Sequence, residues 1–146
     1  YVVLSYVWGP PSTQQHATPQ SRYPLTIEDS IRVSAMLRLH YLWVDRYCIE
    51  QEGSPEKLAQ IEQMNKIYNE ATLIIIAAAG SDPHYGLPRI SHRCRESQSK
   101  LALGVLVFVQ GISPHPAELQ TAQWTTRAWT YQEDFLSRRR LVFTDC

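Results

Sequence analysis

Apolar and polar positions alternate along this chain in blocks rather than in one period. Tyr1 to Val7 is a run rich in Val, Leu and Tyr that stops at Trp8-Gly9-Pro10-Pro11, which predicts a buried strand ended by turn formers. From Pro11 to Pro24 the run gives way to Ser, Thr, Gln and Pro without apolar period, as in a surface loop. Ile27, Ile31, Ala35 and Leu39 then recur every four residues behind Thr26, an N-cap residue type, with Glu28 and Asp29 in the first turn; a helix is expected to about Leu39. Tyr41-Leu42-Trp43-Val44-Asp45 predicts a second strand whose last members carry polar groups, Asp45, Arg46 and Cys48. Gly53-Ser54-Pro55-Glu56 combines a turn, an N-cap, a first-turn proline and an early acid ahead of the stripe Leu58, Ile61, Met64, Ile67 and Ala71, a second helix. Thr72 to Ala79, closed by Gly80, reads as a strand covered on both faces. Leu101 to Val109 predicts a further strand, Trp124 to Ser137 a helix and Leu141-Val142-Phe143 a closing strand, while Ser81 to Lys100 has no period and Ser113-Pro114-His115-Pro116 is a break.

Strand, helix, strand, helix, strand in that order implies an α/β fold, a mainly parallel sheet flanked by helices. In such sheets ligands bind outside the carboxyl ends of the strands, near the point where strand order reverses. The rule selects Ser5, Tyr6, Trp8 and Gly9 after the first strand, Asp45, Arg46, Cys48 and Gln51 after the second, and Gly80 and Ser81 after the third. Glu133 is a separate candidate. In a helix it shares a face with Trp129, four residues before it, and Leu136, three after it. A carboxylate in that company is desolvated unless paired, and so suits acid, base or cation-stabilising work; the structural alternative is an ion pair with Arg127, Arg138 or another element. At a strand end Asp45 can order a ligand hydroxyl, but Asp is a habitual turn and cap residue, and from the residues alone capping of the next turn is the favoured reading.

Composition narrows the class. The chain has 146 residues, 44% hydrophobic and 19% charged, enough for one domain with a core. Because the first residue is Tyr1, already inside an apolar run, residues 1–146 read as a single domain cut from a longer protein. Fourteen basic and fourteen acidic residues give a formal net charge of zero, which argues against a nucleic-acid partner. The longest apolar run, Leu73 to Ala79, falls short of the roughly 20 residues that span a bilayer, so no membrane partner is expected. Three scattered cysteines, Cys48, Cys94 and Cys146, do not make a disulfide framework and fit a reducing, cytoplasmic setting. Cys48 reads as a small buried residue rather than a nucleophile. His92 and Cys94, with His84 and His115 elsewhere, lack zinc-site spacing, and no metal is expected. Arg138-Arg139-Arg140 reads as a solvated helix end. G-x-G-x-x-G, G-x-x-x-x-G-K-[ST] and G-x-S-x-G patterns are missing, which removes the sequence basis for a Rossmann dehydrogenase, a P-loop NTPase or an α/β serine hydrolase.

Three blocks occur together: Leu4-Ser5-Tyr6-Val7-Trp8-Gly9; Leu42-Trp43-Val44-Asp45-Arg46-Tyr47-Cys48-Ile49-Glu50-Gln51 running into the helix of Met64, Ile67, Tyr68 and Ala71; and Arg127-Ala128-Trp129-Thr130-Tyr131-Gln132-Glu133. In this order they resemble the fungal heterokaryon-incompatibility (HET) domain. Departures are Ala128, where the family often has Gly, and Glu50, where it often has Asn; Ser81 to Gln123 matches nothing diagnostic.

The resemblance implies an effector of non-self recognition that triggers regulated cell death, often joined to sensor or NACHT and repeat domains, and a distant likeness to the Toll/interleukin-1 receptor (TIR) domain, a flavodoxin-like sheet. In TIR domains that cleave NAD, a tryptophan precedes the catalytic glutamate by four residues, and Trp129 and Glu133 have that spacing. The likeness therefore implies Glu133 as the catalytic residue and Ser5, Tyr6, Trp8, Gly9, Asp45 and Trp129 as substrate-binding positions. NAD is then a substrate, no cofactor is implied, and self-association accompanies activation. The rival expectation is a non-enzymatic module that signals by self-assembly.

Overall fold

The computed structural model describes residues 1–10, 22–51, 53, 55–91, 93–94, 99–109 and 117–145. In chain order its elements are β1 (Val2–Ser5), α1 (Leu25–Met36), β2 (Leu42–Val44), α2 (Asp45–Cys48), α3 (Pro55–Glu62), α4 (Met64–Glu70), β3 (Leu73–Ala77), β4 (Lys100–Leu103), β5 (Leu106–Val109), α5 (Ala117–Thr121), a 3-10 turn (Gln123–Thr126), α6 (Thr130–Phe135) and β6 (Arg140–Phe143). Most of the predicted loop 11–24, the N-cap at Ser54, His92 and the break at 113–116 lie outside the described residues.

The alternation does produce a parallel sheet. Four strands pair all-parallel in the order β2-β1-β3-β6, with Val3 opposite Trp43 on one side and Ile74 on the other. Strand order reverses between β1 and β3, the switch point of flavodoxin-like sheets. β1 is buried along its whole length because both of its faces are covered. Its pleat sends Val2, Leu4 and Tyr6 toward Ile27 and Val33 of α1, and Val3 and Val7 toward Met64, Tyr68 and Trp124.

Five predicted elements differ from those observed. α1 stops at Met36, before Leu39, because Arg38 adopts φ 57 and closes the helix: its N–H donates to the Ala35 carbonyl and that of Leu39 to the Ser34 carbonyl. That is a Schellman closure with arginine where glycine is usual. Thr26 is not the cap, which is Pro24; its hydroxyl instead accepts the Gly86 N–H at 3.1 Å. The predicted second strand ends at Val44, and Asp45 begins a helical turn. The second helix breaks at Gln63 into α3 and α4.

The apolar run 101–109 is not a strand of the main sheet but the separate antiparallel hairpin β4–β5. Gly104, at φ 62, opens its two-residue turn, as a type II′ connection requires, and all residues of both strands are exposed. The predicted helix 124–137 is also divided, since the 3-10 turn and α6 are separated at Arg127–Trp129.

Segment 81–91, which had no legible period, is held by α1. The buried Asp29 accepts the Leu87 N–H at 2.9 Å and the Ser91 hydroxyl at 3.0 Å through Oδ2, and the Arg32 guanidinium at 2.8 Å through Oδ1.

Candidate functional site

The pleat of β1 decides which candidates can meet. Ser5 follows Val3 onto the face that α4 and α6 cover, whereas Tyr6 points to the α1 face. On Ser5's face the Trp124 indole N–H donates to Ser5 Oγ at 2.6 Å, and Ser5 Oγ donates in turn to Glu133 Oε2. Glu133 is 1% exposed. Its Oε1 accepts no hydrogen bond, and the closest guanidinium nitrogen of Arg127 stands at 3.9 Å, an ion pair without hydrogen-bond contact. The expected choice between desolvated carboxylate and salt bridge thus resolves into a buried carboxylate held by a serine and only loosely compensated by Arg127.

Trp129 does not share a buried face with Glu133 as a continuous helix would have it. It lies in the turn before α6, where its carbonyl accepts the Glu133 N–H at 3.1 Å, and it is 45% exposed. Both residues nonetheless border one cleft of about 380 Å³, which Trp8, Asp45, Gln51, Lys57, Met64 and Arg127 also line. That volume is at the lower end of the range for small-molecule sites.

Asp45 is the second carboxylate of the cleft. Positioned by the end of β2, it accepts its neighbour's backbone N–H, that of Arg46, at 2.7 Å on Oδ1, and the Trp8 indole N–H at 3.1 and 3.2 Å on its two oxygens. It therefore orders the start of α2 and fixes Trp8 at once. Burial pushes the Asp45 carboxyl up to about 6; the Arg46 N–H, Arg127 and Trp8 oppose that rise, and the charge of Glu133 adds to it. The Arg46 guanidinium lies 6.0 Å from the centre of the Trp8 ring.

Two tyrosines complete the polar cluster. The Tyr68 hydroxyl, fully buried on α4, lies against Glu133 without a hydrogen bond of good geometry; burial first, and then the charges of Glu133 and Asp45, push its pKa above the usual tyrosine value. Tyr6, whose hydroxyl also has no hydrogen-bond partner, is raised by burial and by Asp45. The Tyr6 backbone carbonyl accepts Arg127 Nη1, and its hydroxyl meets the site only through charge, chiefly that of Asp45.

Of the sequence candidates, Trp8, Asp45, Gln51, Trp129 and Glu133 line the cleft, and Ser5 lies behind Glu133. Tyr6 is directed to the opposite face of the sheet, and Gly9, at φ 71, shapes the turn after β1. Gly80 and Ser81 border a different cavity with Tyr85 and Asp145, so the three strand ends do not converge on one pocket. Cys48 is exposed, not buried as expected. Sequence reasoning missed Trp124, Tyr68 and Lys57 as members of the site. Trp124 had no signal beyond its place in an apolar stripe, because its role depends on a serine 119 residues away. Among the described residues no group of three or more His, Cys, Asp or Glu is placed to hold a metal ion. No helix described is long and apolar enough to cross a membrane.

Comparison with known proteins places this geometry in context. Residues 1–133 match the family described as Heterokaryon incompatibility protein (HET). The chain is 31% identical over 94 residues to Heterokaryon incompatibility protein 6, OR allele, of Neurospora crassa, covering 52% of this chain and 14% of the length of that relative. No solved structure matches.

Proposed function

The chain belongs to the heterokaryon-incompatibility (HET) family, and from that premise we propose that it is an effector of fungal non-self recognition that triggers regulated cell death by cleaving NAD into nicotinamide and ADP-ribose. The observation that supports this reading most directly is the Glu133 carboxylate: buried, fixed by Ser5 through Oε2, and free of hydrogen bonds at Oε1 on the border of a cleft. Breaking the bond between nicotinamide and ribose develops positive charge on the sugar. Nicotinamide leaves neutral and needs no proton, so one preorganised carboxylate is the minimum the reaction requires. A fixed group of this kind in a water-poor site contributes on the order of 10²–10³ in rate. Trp8 and Trp129 supply aromatic surface for a planar ring, and Gln51 supplies polar groups.

The test is incubation of the purified chain with NAD, at high concentration with a crowding agent to favour assembly, with nicotinamide followed by chromatography. Release by the native chain and not by Glu133→Gln is expected. No release from folded, assembled native chain overturns the reading.

One observation favours the rival, assembly of copies of this chain without chemistry. Hairpin β4–β5 exposes Leu101, Leu103, Leu106, Val107, Phe108 and Val109, with Val105 99% exposed at its tip. Among the described residues this two-stranded sheet pairs with no further strand, which leaves its edges as templates for an identical strand. A cell-death assay separates the readings: Glu133→Gln abolishes killing if NAD cleavage is the signal and leaves it intact if assembly alone suffices.

A further inference from the structure

The cleft holds two carboxylates, and the cleavage chemistry above uses only one. Glu133 arrives from α6 and Asp45 from the end of β2, the strand beside β1, and both border the same space. Their environments differ in kind. Glu133 is held from behind by Ser5, whereas Asp45 is anchored through Oδ1, which takes the Arg46 N–H and the shorter branch of the Trp8 bond; Oδ2 receives only the longer branch, at 3.2 Å. Asp45 therefore keeps acceptor capacity on an oxygen whose position is fixed. Inverting glycosidases divide the work between two carboxyl groups, an acid for the leaving group and a base for the attacking water. Nicotinamide leaves neutral and needs no acid, so the base is the role of that pair that this reaction can still use.

Resting on the NAD-cleavage reading, we infer that Asp45 is a second catalytic residue, the base that removes a proton from the attacking water while Glu133 faces the ribosyl cation. In this step the C1′–N bond breaks and its electron pair leaves with nicotinamide. The water oxygen bonds to C1′, and the water proton passes to Asp45 Oδ2 and then to solvent. The groups facing Asp45 are Trp8 and the Tyr6 hydroxyl from the β1 side, Tyr68 from α4, Arg127 and Glu133 from the α6 side, its neighbour Arg46, and Lys57 of α3 across the cleft. Burial and Glu133 together raise the Asp45 carboxyl to about 6, where a base that works near neutral pH is best matched.

The test uses native chain, Asp45→Asn and Glu133→Gln, each with NAD in the presence and absence of about molar azide, an anionic nucleophile with no proton to remove. Asp45→Asn keeps an acceptor for Trp8 and is expected to lower nicotinamide release on the order of 10²–10⁴-fold, the usual contribution of a general base. Azide restores release in Asp45→Asn and gives an azido sugar product, but does not restore Glu133→Gln. The native rate falls on the acid side with a midpoint near 6, and Asp45→Asn lacks that limb. Retained activity in Asp45→Asn, or inactivity that azide does not relieve, overturns the inference and leaves NAD cleavage standing. Absence of release from the native chain overturns both.

Discussion

Removing the Ser5 hydroxyl tests the arrangement at its narrowest point. Ser5→Ala deletes one atom that serves two buried neighbours: it leaves the Trp124 indole N–H, on a residue 2% exposed, without an acceptor, and strips Glu133 Oε2 of its donor. An orphaned buried donor costs about 1–3 kcal/mol, and a hydrogen bond to a charged group contributes about 1.5–3 kcal/mol. The cavity left by one oxygen is small, so the expected loss is about 3–5 kcal/mol, a large part of the roughly 5–15 kcal/mol that holds an ordinary domain together. At roughly 2–4 °C per kcal/mol for a chain of this size, Tm falls by about 6–20 °C. Urea denaturation at pH 7 measures the free energy directly. In a Glu133→Met background the charged acceptor is already gone, and Ser5→Ala then costs only the Trp124 term, so the cycle gives a coupling of about 1.5–3 kcal/mol. A cost under about 1 kcal/mol for Ser5→Ala, or the same cost in both backgrounds, would refute the claim that Ser5 links Trp124 to Glu133.

Three further outcomes follow from single contacts. The Asp45 carboxyl is raised from 3.8 to about 6 on folding, so the native state binds its proton more tightly than the unfolded chain; stability is highest below about pH 4 from this group and falls as pH rises to 6. The shift corresponds to about 3 kcal/mol, and urea titrations from pH 4 to 7 should show Asp45→Asn more stable than native at pH 7 with that slope flattened. Asp29→Ala removes the acceptor of the Leu87 N–H and the Ser91 hydroxyl and is expected to cost about 2–4 kcal/mol, with hydrogen exchange of the Leu87 amide accelerated. Gly80→Ala places a Cβ 2.1 Å from Tyr85 Cγ at a φ of +78, and a loss of more than about 1 kcal/mol in urea denaturation is expected; an unchanged midpoint would contradict the close packing of Tyr85 on this turn.

The legible part of the fold was the part written in local periodicity. The branched run from Thr72 to Ala79 and the stripe from Leu58 to Ala71 predicted a covered strand, observed at Leu73–Ala77, and a helical stretch, and the parallel sheet followed from their order. What local pattern could not express was lost. Arg38 closes α1 in a conformation usually left to glycine, and the exposed run Leu106–Val109 is as apolar as a core strand. Asp29 looked like a dipole-compensating first-turn acid, yet besides Arg32 of its own helix it binds a loop some 60 residues away, at Leu87 and Ser91. In the candidate site, strand-end reasoning selected Ser5, Trp8 and Asp45, but the pleat that separates Ser5 from Tyr6 required knowing which helix covers which face. Glu133 was singled out for sharing a helical face with Trp129; the structure brings both to the cleft by a turn instead.

The placement of Glu133 has a consequence for when the site exists at all. Its hydroxyl partner is 128 residues earlier in the chain, and α6 precedes β6, which pairs with β3 on the side away from β1. A parallel strand is reached by a crossover that packs its helix back on the sheet, so α6 comes to lie against α4 and over the end of β1. Ser5, Asp45 and Glu133 thus come from segments that are brought together only when β2, β1, β3 and the connection to β6 are all in place. A buried carboxylate with an unpaired oxygen is costly to a fold, and an apolar side chain at position 133 would serve the core better. The connection from β3 to β6 therefore delivers a group that the core alone has little reason to hold, which accords with the catalytic role proposed for Glu133.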